Sequence, residues 1–315
     1  MIELRLGPKD ALHLRFAVSP LWETLAAVRA LTVGPMPQAM NPWRKLVSPP
    51  ATPFLTSVQK GTRYTPDFLT PPPQAGERSA EAEIALVAET PLAVIQAELE
   101  RARSVGADVP RLRASQARDL AVAEMRLAWE QLLLPHWPRL HRVLATDVDH
   151  RSKRLINGGI AALMADLHPS VTFGDDALRV RGPVDERRDL HGEGIVLMPS
   201  LFGGQRPLVI LDEPYQPTLI YPARGIGTAW TRPVAPADAL VKLLGQGRAE
   251  VLAALDEPDS TSEVSWRIDR AGSTVSEHLH VLQRAGLVEV TRQGKASRWA
   301  RTDLGDSLVA GRLSS

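Results

Sequence analysis

The 315-residue chain contains no cysteine, so disulfides, thiolate metal sites and thiol redox sensing are excluded, and a reducing cytosol is the compartment it fits. Aromatic residues are scarce, with three Tyr, five Phe and seven Trp. Net charge is only +1, so no global field draws the molecule to nucleic acid, and any such attraction must come from a local patch. No apolar run approaches the roughly 20 residues of a membrane span. The opening M-I-E-L-R-L-G lacks the basic-then-apolar layout of a signal peptide. There is no fixed-period repeat. What remains, 44% hydrophobic and 23% charged, suits a soluble globular protein long enough for two domains.

Proline is plentiful and punctuates the first half. Residues 1–6 alternate apolar and charged side chains and predict an edge strand. Ser19-Pro20 offers a capping hydroxyl followed by Pro at the first helical position, so a core helix over 20–31 is expected, with Leu21, Leu25 and Val28 on one face. Between 34 and 73 the Pro density allows only short helices, around Trp43 and over 54–59. Further helices are predicted at 79–89, from 90–91 to about 105, and at 115–134. Pro135 and Pro138 interrupt, and helical patterns resume at 140–148 and 151–167. From Val171 the character changes. V-T-F-G-D-D-A-L-R-V predicts a hairpin, with further strands near 194–198, 208–211 and 218–221. These observations predict an α+β protein: a mostly helical N-terminal domain with a small antiparallel sheet, residues 1–235, and a second domain over 236–315. The change of domain is placed at the T-R-P-V-A-P-A-D stretch, about 233–238.

Residues 263–302 carry the densest pattern. A helix over 273–285 places Val275, Leu279 and Leu282 on one stripe. Its other face carries Ser273, Glu277, His280 and Arg284, with Thr274 and Ser276 near its start. Short polar side chains on an exposed helix with an apolar back suit insertion into a major groove. Gly286 is a C-cap signal. Two β-prone runs follow, 287–290 and 297–300, flanking R-Q-G-K, a Gly hairpin with cations at its tip. Helix, glycine stop and basic hairpin predict a winged helix-turn-helix.

The run S-T-V-S-E-H-L-H-V-L-Q-R-A-G-L-V resembles the recognition helix and first wing strand of ArsR-type (arsenic-repressor-like) transcription factors. A-L-V-K-L-L-G-Q-G-R-A-E-V-L-A-A-L upstream, with Arg248 ahead of its apolar run, resembles that family's first two helices. D-A-L-H-L-R-F-A-V-S-P-L-W-E-T, Y-T-P-D-F-L-T-P and L-I-Y-P are similar to an uncharacterised N-terminal domain found fused to such winged helices in bacterial regulators. The resemblance implies a double-stranded DNA ligand, a homodimer on an inverted repeat, repression, and first and last winged-helix segments that pair across the dimer, at about 236–244 and 302–313. It departs in two places. Glu277 stands where many relatives carry Arg, Lys or Gln, trading phosphate attraction for selectivity. S-W-R-I-D-R-A-G differs from the usual A-x-x-L-G-L-S, so a longer or irregular turn is expected.

On this reading Ser273, Thr274, Ser276, Glu277 and His280 face base edges and nearby phosphates, and Arg284 the phosphates. Arg292, Lys295, Arg298 and Arg301 on the wing would neutralise the DNA backbone, with Arg267 and Arg270 ahead of the recognition helix. No catalytic set, metal or cofactor is expected. His136, His141, His150, Asp147 and Asp149 match no metal-helix spacing. Asp303 and Asp306 on the last helix lack a partnering His. Gly225/Gly227 and Gly203/Gly204 are turns, and Ser200 with His191 lacks a nucleophile elbow. Trp22, Trp43, Phe54, Phe68, Trp129, Trp137 and Tyr221 are core residues first and lining of a small-molecule effector pocket second. A competing reading makes the first domain a small-molecule-modifying enzyme or binding module, with the winged helix for protein contact.

Overall fold

The computed structural model describes residues 1–61, 64–73, 79–182, 185–227, 237–255, 258–293 and 296–309. The chain divides into two units, Met1–Trp230 and Thr231–Ser315. The expected boundary at 233–238 lies, up to residue 236, outside the described residues. Among the described residues no helix is long and apolar enough to cross a membrane.

In the first unit the elements run β1 (Ile2–Arg5), α1 (Pro8–Leu12), β2 (Arg15–Phe16), α2 (Pro20–Thr32), α3 (Asn41–Arg44), α4 (Pro53–Gln59), α5 (Ala80–Glu89), α6 (Leu92–Ser104), α7 (Ala114–Ala128) and α8 (Trp137–Ala165). The strands β3 (Val171–Gly174), β4 (Ala177–Val180), β5 (Glu186–Asp189), β6 (Val196–Ser200), β7 (Leu208–Ile210) and β8 (Thr218–Pro222) follow.

Helix α2 is the centre of the helical layer and is buried almost all round. Ser19 caps it, its Oγ accepting from Trp22 N at 2.9 Å, and Pro20 occupies the first turn, where its missing N–H leaves no bond unmade. A second cap comes from α5: Glu83 Oε2 accepts from Leu21 N at 2.9 Å and from Ser19 Oγ at 2.8 Å. Helix α4 is capped the same way, Glu124 accepting from Phe54 N and Leu55 N at 3.1 and 2.9 Å. Buried carboxylates thus satisfy the free amides of helix starts that a short local cap does not reach.

The α+β class holds, but the sheet component is larger than one small antiparallel sheet. There are two four-stranded sheets, ordered β3-β4-β1-β5 and β2-β6-β8-β7. Both are mixed, since β1 pairs parallel with β5 and β6 pairs parallel with β2 and β8. The expected edge strand β1 is an interior one. Leu4 faces the core, while Glu3 takes ion pairs from Arg179 and Arg187 on its two neighbours. The β3–β4 hairpin turns on Asp175 and Asp176, both at positive φ (52° and 54°), the backbone a two-residue hairpin with right-handed twist requires.

The helix expected to end at 134 runs as α7 to Ala128, continues through a π-helical turn over Trp129–Leu133 and a 3-10 turn over Leu134–His136, and restarts as α8. Pro138 sits in the first turn of α8, where a proline is tolerated, so the interruption is brief. The gap expected at 149–150 is absent. The break in α8 falls instead at Gly159, at φ 69°, a backbone that glycine adopts without strain.

Candidate nucleic-acid interface

The second unit comprises α9 (Asp238–Leu244), α10 (Gln246–Ala254), α11 (Thr261–Ile268), α12 (Gly272–Arg284), β9 (Val288–Gln293), β10 (Ala296–Arg301) and α13 (Asp303–Val309). Its core gathers Leu252 of α10, Val264 of α11, Val275, Leu279 and Leu282 of α12, and Trp299 of the wing. Arg248 Nε donates to Leu244 O, closing the end of α9. Gly247 lets α10 approach α12, for a Cβ there would lie 2.5 Å from His278 Nε2.

The turn between α11 and α12 is three residues, 269–271, shorter and more regular than its departure from the family spacing led us to expect. Asp269 takes the left-handed conformation (φ 53°, ψ 52°) that a glycine fills more readily. Aspartate tolerates it because its short polar side chain does so better than most.

The apolar positions of α12 are buried and the expected polar stripe points outward. Ser273, Glu277, His280 and Arg284, at i, i+4, i+7 and i+11, are all exposed, and Thr274 and Ser276 are half-buried. The imidazole of His280 meets Trp299 edge-on at 5.1 Å, which ties the middle of the stripe to the wing.

The wing strands are longer than expected and pair from Ala296↔Gln293 to Arg301↔Val288. Gly294 and Lys295, and the side chain of Arg292, lie outside the described residues. A third strand is reduced to one bridge: Asp259 N donates to Trp299 O at 2.8 Å and Trp299 N to Asp259 O at 2.7 Å.

Several of the expected DNA-facing cations are engaged within the unit. Arg298 pairs with Glu263 at 2.8 Å. Arg301, only 13% exposed, pairs with Asp306 at 2.6 Å and donates to Leu252 O at 3.3 Å. Arg267 pairs with the buried Asp259, and Arg270 with Glu250 at 2.6 Å. The Arg270 bond holds the Glu250 carboxyl below its ordinary range. Over residues 231–315 the sequence carries eleven Lys/Arg and eleven Asp/Glu, so this unit has no net charge.

Glu263 is the positioning residue that motif reading missed. It completes a capping box at the start of α11, accepting from Ser260 N at 2.7 Å while Ser260 Oγ accepts from Glu263 N at 3.3 Å. The same carboxylate holds Arg298. The signal was present as S-T-S-E over 260–263.

Residues 248–291 match the family model of a helix-turn-helix domain. The match spans α10, α11, α12 and the start of β9, the part of the chain that presents the polar stripe. The chain therefore carries a helix-turn-helix of the DNA-binding type, which points to a regulator rather than an enzyme. No curated protein and no solved structure matches the chain.

In the first unit, Trp43, Phe54, Phe68, Trp129 and Tyr221 are buried core residues, whereas Trp22 and Trp137 are half-buried. Asp147 is occupied by Tyr221 Oη at 2.8 Å, Arg224 N at 2.9 Å and the buried Arg151. His150 pairs with Asp166 at 3.0 Å. Among the described residues no group of three or more His, Cys, Asp or Glu is placed to hold a metal ion. Ser200 Oγ accepts from Trp22 Nε1 at 3.1 Å and from Gly203 N at 2.8 Å, a structural clasp.

Proposed function

We propose that the protein is a transcriptional regulator of the ArsR type, a repressor that binds an inverted-repeat operator as a two-fold dimer. The observation that carries this reading is the exposed stripe Ser273, Glu277, His280 and Arg284, backed by three fully buried apolar residues within a matched helix-turn-helix. Ser273, Thr274, Ser276, Glu277 and His280 read base edges and adjoining phosphates, with Glu277 accepting from a cytosine amino group. Arg284, Arg292, Lys295, Arg298 and Arg301 contact the backbone. Arg298 and Arg301 do so by exchanging Glu263 and Asp306 for phosphate.

Dimerisation through the first and last helices of the unit is supported by their surfaces. Leu243 on α9 is 66% exposed and Leu304 on α13 is 55% exposed, apolar surface that such a dimer would cover. Such a dimer presents two copies of α12 to successive major grooves, about 34 Å apart. The first unit serves as the effector-sensing part, acting through different affinities for two arrangements of the dimer.

The test is fluorescence anisotropy with duplexes from the protein's own promoter, followed by footprinting across the genome. Lys295→Ala and Arg298→Ala should each weaken all duplexes alike; the first should flatten the salt dependence by about one ion and the second by less, because Arg298 already faces Glu263. Ser276→Ala should change sequence preference. A uniform loss from all three variants would overturn the division of labour, and no duplex binding at low ionic strength would overturn the reading itself.

A further inference from the structure

Within the first unit, α2 and the segment after β6 enclose a cavity of about 500 Å³, a size that holds a small organic molecule. Its main wall is one face of α2, where Trp22, Leu25, Ala26, Arg29 and Ala30 recur at i, i+3, i+4, i+7 and i+8. Phe202, Met36 and Leu208 add further apolar surface, and Leu208 is 43% exposed at the rim.

The wall is fixed by hydrogen bonds. Trp22 Nε1 and Gly203 N share Ser200 Oγ, and the neighbouring Glu23 accepts from Leu201 N at 3.0 Å. At position 203 a Cβ would stand 2.8 Å from Ser200 Oγ, so a larger residue would have to push aside the hydroxyl that holds the indole. Trp22 is thereby held in one orientation at the cavity, while most of the other large aromatics of the unit are sealed in the core.

The polar lining is one-sided. Arg29, half-buried and donating to Gln59 O at 3.2 Å, and the exposed Arg206 both line the cavity. Among the described lining residues there is no Asp or Glu. Two arginines in an otherwise largely apolar lining, without a lining acid, favour one ligand chemistry: an anionic head that accepts charge-assisted hydrogen bonds and an apolar body that rests on Trp22 and Leu25. Neutral apolar molecules would gain nothing from the two positive charges, and cations would be repelled.

We infer that this cavity binds a small monocarboxylate with an aryl or medium-chain alkyl body. Its use as an effector site rests on the regulator reading above. The binding itself is measured without DNA, so the two can fail separately.

The experiment is calorimetric titration of the full chain, with Trp fluorescence in parallel. The probes are phenylacetate, 3-phenylpropionate, octanoate and decanoate, each against its amide and its amine. At least one carboxylate should bind saturably below millimolar concentration and about tenfold or more tighter than its amide. Arg206→Ala should weaken that binding about tenfold, and Leu208→Glu, which sets an acid at the rim, at least as much. Both positions are exposed, so melting curves should match the parent. No saturable binding by any of the four acids would overturn the inference. So would equal affinity for acid and amide, or undiminished binding by both folded variants.

Discussion

Glu23 offers the sharpest quantitative test of the first unit, because a single carboxyl is fully buried between α2 and the segment that closes the cavity. Burial pushes it from its ordinary 4.5 up to about 7, against the opposing pull of the Ser200 hydroxyl and the Leu201 and Phe202 amides. Between pH 4.5 and about 7 the native state therefore holds a proton that the unfolded chain has released, and stability falls as pH rises through that window. Above it both states are ionised and the loss is complete, about 3 kcal/mol as an order of magnitude. Glu23→Gln keeps an acceptor for Leu201 N and removes the ionisation. The variant should be near parity with the parent at pH 5 and more stable by up to about 3 kcal/mol at pH 8. Urea unfolding of the first unit, followed by Trp fluorescence at pH 5, 6, 7 and 8, reads the difference directly. Glu98, pushed up to about 7, and Asp67, pushed up to about 8, both mainly by burial, slope the same way and cancel in the comparison. Parallel pH profiles for parent and variant would refute the reasoning.

The second unit yields three further expectations. Glu263→Ala removes both the cap of α11 and the tether to Arg298. It should cost about 1–2 kcal/mol, mostly from the cap because the ion pair is partly exposed, and should speed amide exchange along β10. Asp269→Gly relieves a left-handed residue and should raise the melting temperature of the unit, a gain of up to about 1 kcal/mol, without altering DNA affinity. In the proposed dimer Leu243→Asp and Leu304→Asp, each doubled by the two-fold axis, should raise the dissociation constant roughly a hundredfold, read by analytical ultracentrifugation. A monodisperse parent monomer would remove the basis of that last expectation.

Local chemistry made much of this fold legible. Helix starts at Ser19-Pro20 and Ser79, the short helices between prolines, and the hairpin at Asp175-Asp176 each rest on side chains within a few residues of the feature they create. What was not legible depends on partners far along the chain. Strand β1 is interior because Ile2 pairs with Val180 on one side and Glu186 on the other, and no pattern within residues 1–6 announces either neighbour. The capping roles of Glu83 and Glu124 are hidden for the same reason. In sequence they resemble solvated helix residues, and only the fold shows that their oxygens reach the amides of another helix. At the candidate site the polar stripe was visible from helical spacing alone. The pairing of Arg298 with Glu263 was not, since a hairpin cation and a helix cap meet only once the wing folds back on α11.

That pairing bears on how such a surface would hold DNA. The unit has as many acids as bases, and four of its arginines near the stripe and wing already face a carboxylate. A phosphate that recruits Arg298 displaces Glu263, so part of the gain is offset by the pair it breaks, and the net counterion release per contact is smaller than for a free cation. Glu277, at the centre of the exposed stripe, adds repulsion toward any backbone it approaches without a cytosine to donate to it. Weak attraction to arbitrary duplex and a penalty for wrong sequence act in the same direction. They would raise the ratio of specific to non-specific binding at the expense of absolute affinity, which the proposed two-fold dimer would restore by engaging two half-sites at once.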